Sequence, residues 1–238
     1  MPFSESGNAP DSDPEDDRDA VAAWQVRALD RSLGAARARS VERLAQFVQA
    51  ARELTSETAS ATFTVQQVVD RSGQSLKSFY RLFAGKDDLL LALIEEDCRV
   101  GALFLDELVD RHTDPSRRIQ AWIEGIFELM AAGEHPYVRV LVREHRRFSE
   151  ARPAQIEAAV RPLLTTLERD IAAAVADGSV RPGDPARDAR TIFEVVVSTI
   201  HRVVLEGSGE SPAEAATYVW EFCWRGVHIK TRPEEGEP

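Results

Sequence analysis

The chain has 238 residues, 43% of them hydrophobic and 29% charged, with a formal net charge of −11. That size and balance are those expected of a soluble globular protein, either one large domain or a small domain joined to a larger one. The most apolar stretch, VVVSTIHRVVL (195–205), is short and carries His201 and Arg202, so no membrane partner is expected.

Two distant cysteines, Cys98 and Cys223, fit neither a disulfide framework nor a CxxC site, and read as buried thiols in a reducing cytosol. The first residues, MPFSESGNAPDSDPEDDRD, lack the apolar core of a signal peptide, so a cytoplasmic location is expected. The acidic net charge argues against a polyanionic partner only until its distribution is read. Residues 1–20 hold seven acids and one arginine, whereas residues 27–89 hold ten bases and seven acids. Two of the three lysines, Lys77 and Lys86, fall within ten residues of each other in that basic part.

In chain order, the Pro-, Ser- and Asp-rich residues 1–20 read as a disordered acidic tail, because they cannot bury enough apolar surface to order themselves. Residues 21–38 read as a basic helical arm in which Gly34 is expected to break the helix. VERLAQFVQAARELTS follows, with Val41, Leu44, Val48, Ala51 and Thr55 at helical spacing and Phe47 and Leu54 widening the stripe. Thr64-Val-Gln-Gln67 is a capping box for a short helix. Gly73 is placed to end that helix in a left-handed conformation.

Ser75 then caps LKSFYRLF, whose Phe79, Leu82 and Phe83 face inward while Lys77, Tyr80 and Arg81 face outward. Two short helices joined by a tight glycine turn, the second with a basic outer face, form a helix-turn-helix. An ordinary bundle with solvated charges is the plainer alternative. Against it stands Lys86, a cation in the first turn of the next helix, where the helix dipole opposes it and a bound phosphate would explain it.

Further helices are expected at about 86–110, 114–133, from Pro136 to before Arg152, from Pro153 with a bend at Pro162, and at 185–206 and 212–229. No strand alternation, hairpin turn or internal repeat is found, so the fold class is all-α. Residues 231–238 read as a second disordered tail.

The run FTVQQVVDRSGQSLKSFYRLFAGKDDLLLALIEE resembles the DNA-binding head of the tetracycline-repressor (TetR) family of bacterial transcriptional regulators. The likeness spans about residues 40–95, carried by the Thr-Val helix start, Gly73, the Phe-Tyr-x-x-Phe run and Gly-Lys-Asp-Asp-Leu. It implies a three-helix helix-turn-helix head at residues 39–86 and an α-helical effector-binding and dimerisation domain at 87–230. It further implies a palindromic double-stranded DNA operator bound by a homodimer and released by a small-molecule effector, with no cofactor and no enzymatic activity.

On this likeness Ser75, Leu76, Lys77 and Arg81 approach base edges, and Thr64, Ser78, Tyr80 and Lys86 hold phosphates. Gln74, where the family usually has Val or Ile, the Leu76-Lys77 pair and the basic arm RALDRSLGAARAR depart from the family pattern.

In the helix after Lys86 the apolar stripe Leu90, Leu93, Ile94, Leu105, Leu108 is interrupted at Asp97, Cys98 and Gly101, where a cavity or a filling from across the core would fit equally. Trp122, Ile126, Phe127 and Met130 either line that space or belong to the plain core, and His145 and His201 are either ligand-orienting or satisfied histidines. Cys98, Gly101, Trp122, Phe127, Met130, His145 and His201 are the candidate ligand contacts. The last two helices are apolar almost all round, so something besides their own core must cover them. In the resemblance that cover is a second subunit, with Phe193, Val197, Ile200, Val204, Trp220 and Trp224 as candidate interface residues.

An enzyme is disfavoured by the lack of HExxH, GxSxG, a phosphate loop after a strand or an ExxH pair, and no metal site is expected. The remaining rival is an all-α ligand-binding protein whose head no longer binds DNA specifically.

Overall fold

The computed structural model describes residues 23–131, 136–207 and 209–227, and places nine helices and no strand among them. The expected tails at 1–20 and 231–238 lie outside the described residues. Helix α1 runs from Ala23 to Thr58 without the break expected at Gly34. A single interior glycine costs a helix only about 1 kcal/mol, and here good helix formers, Leu33, Ala35, Ala36, Arg37 and Ala38, surround it.

The buried face of α1 is also rotated from the expected stripe. Val41 is 57% exposed and Leu44 and Val48 are half-buried, whereas Phe47, Ala50, Ala51, Leu54 and Thr55 are buried. The Thr55 hydroxyl is satisfied by donating to the Ala51 carbonyl at 2.7 Å.

Helices α2 (Val65–Ser72) and α3 (Leu76–Leu82) close the head on that face. The capping box forms as read: the Thr64 Oγ1 accepts from the Gln67 N–H at 3.2 Å while the Gln67 Oε1 accepts from the Thr64 N–H at 2.7 Å. Gly73 takes φ 66°, ψ 18°, a left-handed conformation cheap only for glycine, and turns the chain into α3. The Ser75 Oγ accepts from the Ser78 N–H at 3.1 Å to start α3. Phe47 of α1 meets Phe79 edge-on at 5.4 Å between ring centres and Phe83 at 6.1 Å, so the head's small core is aromatic. Gln74 has a structural reason: its Nε2 donates to the Gln46 Oε1 at 2.8 Å, tying the turn to α1.

Helix α4 (Lys86–Val109) carries the chain into the body, made with α5 (Pro115–Ala131), α6 (Pro136–Ala151), α7 (Pro153–Ala176), α8 (Pro185–Glu206) and α9 (Pro212–Val227). Pro162 lies inside α7, which continues on both sides of it. Helix α4 packs against α5, α6 and α7, while α8 packs against α6, α7 and α9. Gly125 lets α5 approach α4 closely, since a Cβ there would sit 2.6–2.7 Å from side-chain carbons of Leu108 and Leu105. At the far end Asp170, 2% exposed, is compensated by Arg118 at 2.9 Å and Arg169 at 3.1 Å, as a buried charge requires.

Candidate DNA-contacting face and ligand cavity

Helix α3 presents its polar side outward. Leu76 is 43% and Tyr80 57% exposed, and Lys77 and Arg81 are exposed beside them. Thr64, Ser75 and Ser78 flank this face, but the hydroxyls of Thr64 and Ser75 already serve as helix caps, and the Ser78 Oγ accepts from Arg81 at 3.4 Å.

Lys86 departs from expectation. Its Nζ donates to the Ala61 carbonyl at 3.0 Å and lies 5.7 Å from the Phe63 ring centre, so it ties α4 to the loop before α2. The cation therefore has an intramolecular role, and its presence does not by itself require a phosphate; two of its three N–H donors remain for one.

The acids that follow it are also engaged. Asp87 pairs with Arg147 of α6 at 2.9 Å and Asp88 with Arg152, just after α6, at 2.6 Å. The hydrogen bonds from Arg147 and Arg152 hold the two carboxyls below their usual range.

In the body, the gap read at Asp97, Cys98 and Gly101 borders a real space of about 140 Å³ between α4, α5, α6, α7 and α8. At ~10–15 Å³ for each water-sized group it has room for roughly ten. Apart from Asp97, Cys98, His145 and His201 its wall is apolar, including Ile94, Met130, Leu141, Leu163, Phe193 and Ile200.

Five of the seven candidate ligand residues, Cys98, Gly101, Met130, His145 and His201, line it. Trp122 and Phe127 do not: Trp122 is fully buried 6.4 Å from Phe193, and Phe127 is core. The lining face of α5 is Ile126, Leu129 and Met130, one step round the helix.

Three residues assigned to the dimer interface, Phe193, Val197 and Ile200, line the cavity instead. Val204 is 8% exposed, so α8 turns this face into its own chain. The exposed apolar groups on α9 are Tyr218 and Phe222, next to the stacked, half-buried Trp220 and Trp224. Leu129, Leu141 and Leu163 were missed because nothing in their helical spacing separates cavity wall from core.

Asp97 joins this cavity to the head. Arg52 of α1 lies 2.5 Å from its Oδ1, and the Tyr137 hydroxyl of α6 donates to its Oδ2. Burial raises the carboxyl of Asp97 against the lowering influence of these partners, and burial likewise raises the Tyr137 phenol. Burial pushes the Cys98 thiol up to about 12, so it is no thiolate nucleophile at neutral pH.

Beside the cavity runs a larger groove of about 730 Å³, with Arg146, Glu150, Glu157, Arg190, Glu194, Arg202 and Glu206 in its lining. Cavity and groove share His145 and His201, whose ring centres are 5.9 Å apart. No group of three or more His, Cys, Asp or Glu is placed to hold a metal among the described residues.

Burial, helped by His201, lowers His145 from 6.5 to about 4. Folded protein thus binds less of this proton than unfolded chain between pH 6.5 and about 4. The associated stability is whole above pH 6.5 and is lost as pH falls, by at most roughly 3 kcal/mol. Urea unfolding at pH 7 and 4.5 is expected to show a larger acid loss for the unmodified chain than for His145→Gln. Equal losses would place that imidazole in water.

Residues 47–93 match the family model described as bacterial regulatory proteins, tetR family, and residues 112–227 match that of the tetracyclin repressor-like C-terminal domain. The chain is 22% identical over 186 residues to a fatty acid metabolism regulator protein of Bacillus subtilis (strain 168), covering 78% of this chain and 95% of that one. In structure it is similar to the transcriptional regulator FadR from Bacillus subtilis in complex with stearoyl-CoA, with TM-score 0.64, 21% identity, and coverage of 77% and 98%. It is also similar to Thermus thermophilus FadR, a TetR family repressor in complex with lauroyl-CoA, with TM-score 0.66, 16% identity, and coverage of 82% and 100%. No described helix is long and apolar enough to cross a membrane.

Proposed function

We propose, on the premise that this chain belongs to the tetR family of bacterial regulatory proteins, that it is a repressor released from its operator by an acyl-CoA thioester. Membership makes it a DNA-binding transcriptional regulator, of a family that binds operator DNA as dimers and answers to small-molecule effectors.

The observation that carries the choice of effector is the apolar cavity opening beside a polar groove, with His145 and His201 common to both. Such a site suits a ligand with an apolar chain and a long polar head, and the two FadR structures hold stearoyl-CoA and lauroyl-CoA. Acids outnumber arginines in the groove. Arg190 is paired with Glu157 and Arg202 with Glu210, whereas Arg146 has no ion pair among the described residues. The phosphates of the ligand are therefore assigned to Arg146.

Coupling to DNA follows from the ties between cavity and head. A chain entering beside Asp97 competes with the Arg52 and Tyr137 contacts, and any shift of α6 strains Arg147–Asp87 and Arg152–Asp88. Both sets hold the elements that carry α3, so the spacing of two reading helices changes when they move. That spacing must match one helical turn, roughly 34–36 Å, to fit adjacent half-sites.

The dimer itself is assigned to α8 and α9, with Tyr218 and Phe222 as its exposed apolar contacts. Phe222→Glu is expected to sediment as a monomer and lose operator affinity; an unmodified chain that is monomeric at micromolar concentration would refute this interface.

The test of the whole is a gel shift on the DNA upstream of the gene. Dodecanoyl-CoA is expected to release the fragment and CoA alone to leave it bound. No shift would favour a ligand-binding protein without operator specificity, and a shift insensitive to acyl-CoA would remove this effector class.

A further inference from the structure

Four features meet where the cavity and the groove share their lining. His145 and His201 face each other with ring centres 5.9 Å apart and border both spaces. Neither imidazole has a hydrogen-bond partner within the chain among the described residues, although both are at least partly buried. No lysine or arginine lines the apolar side, and the carboxylate bordering it, Asp97, is held by Arg52 and Tyr137. The apolar side of the neck therefore offers two uncharged N–H donors, or acceptors, and no cation. Arg146, which has no ion pair among the described residues, stands on the groove side with His201 within its electrostatic reach.

We infer that His145 and His201 form a selecting gate that accepts a neutral carbonyl at the neck and turns away a carboxylate, so that the site takes conjugated acyl groups and not free acids. The inference rests on the acyl reading above and adds to it which residues choose.

A thioester carbonyl accepts a hydrogen bond from a neutral imidazole and leaves the sulfur and its substituent to continue into the groove. A free acid with its chain in the same cavity would bring its negative charge to the same place. There it would lose water, find no cation on the cavity side, and lie on the same wall as Asp97, with Arg146 on the groove side only. Burial, joined at His201 by the nearby Arg146 against Glu206, keeps both imidazoles from supplying a positive charge to the cavity side at neutral pH, with the His145 pKa lowered to about 4. A cavity mouth that satisfies its ligand by a hydrogen bond, and has no positive charge to offer on its apolar side, discriminates in this direction without steric exclusion.

Three probes of one chain length test the gate by calorimetry on the full-length protein: dodecanoyl-CoA, S-dodecanoyl-N-acetylcysteamine and dodecanoate. The small thioester removes the nucleotide, so that comparing it with dodecanoate isolates the head group at the neck. At pH 7.5 the small thioester is expected to bind at least about tenfold tighter than the acid, the scale of one unpaired buried polar group.

His201→Arg places a cation at the half-buried side of the neck and is expected to tighten dodecanoate by about tenfold or more, closing the gap. His145→Gln with His201→Gln keeps uncharged donors and is expected to keep the preference. This second variant also guards against a misfolded arginine variant.

Equal affinity of the unmodified protein for thioester and acid would overturn the gate while leaving the acyl cavity intact. So would a preference that survives His201→Arg unchanged in a folded protein. If none of the three probes binds, the acyl reading itself fails and the gate with it.

Discussion

Gly101→Leu is expected to leave the protein folded and operator-bound while raising the acyl-CoA concentration needed for release by at least about a hundredfold, since the ligand must expel or displace packed side-chain atoms. Gly101 is buried on α4 at the cavity wall. A Cβ there would meet a Leu129 carbon at 3.4 Å and a Leu163 carbon at 3.7 Å, close to ordinary contact, so the first added carbon is tolerated. The rest of the leucine has one place to go, the space of about 140 Å³ beside it. Filling a cavity and removing a mid-helix glycine both favour the folded state, together by roughly 1–2 kcal/mol.

A melting temperature that holds or rises, with operator affinity kept and the response lost, is the predicted signature. Release at the concentrations that suffice for the unmodified protein would move the effector out of this cavity. Loss of operator binding without any effector would show that occupancy of this space is itself the trigger.

The parts of this protein legible in the sequence are those fixed by near neighbours in the chain. The Thr64–Gln67 box, the left-handed Gly73 and the Ser75 cap each depend on residues within about five positions, and each stands as read. The cavity was half legible at one edge only, because the break in the apolar stripe at Asp97, Cys98 and Gly101 fitted a cavity and a filling from across the core equally.

What failed was the choice between faces. Helix α8 is apolar nearly all round, and nothing in its spacing says that Phe193, Val197 and Ile200 turn towards α4 and α6 instead of a second copy. Trp122 and Phe127 drew attention by size, yet large aromatic groups fill space, and the cavity lies where the smaller Gly101 and Leu163 leave it open. Lys86 has a second role that the sequence hid for a similar reason: its partner, the Ala61 carbonyl, is 25 positions away and leaves no trace in composition.

That partner changes what the head should do when its lysines are removed one at a time. Lys77 is exposed on α3 with no ion pair among the described residues, beside Arg81 and on a helix short enough to enter the major groove. There a long donor reaches guanine O6 and N7. Lys77→Ala is expected to cost roughly 1–3 kcal/mol per half-site on the operator, hence roughly twice that for a dimer, and to relax choice at one base pair in each half.

Lys86 sits where α4 begins, beside backbone N–H groups that favour any phosphate. It also anchors the loop ahead of α2 through Ala61 and Phe63. Lys86→Ala is therefore expected to weaken operator and random DNA together, to lower the salt slope by about 1 per subunit, and to loosen the head. Lys86→Gln separates the last two effects, since an amide can still donate to the Ala61 carbonyl but carries no charge for a phosphate. The glutamine variant should keep the stability of the unmodified head and still lose the salt slope. Operator and scrambled-site affinities measured across a range of salt, with melting curves of the same variants, decide the matter. Equal losses on both DNAs for Lys77→Ala would make Lys77 a phosphate contact and shift the reading face of α3. A salt slope unchanged by Lys86→Gln would leave Lys86 with its structural tether alone.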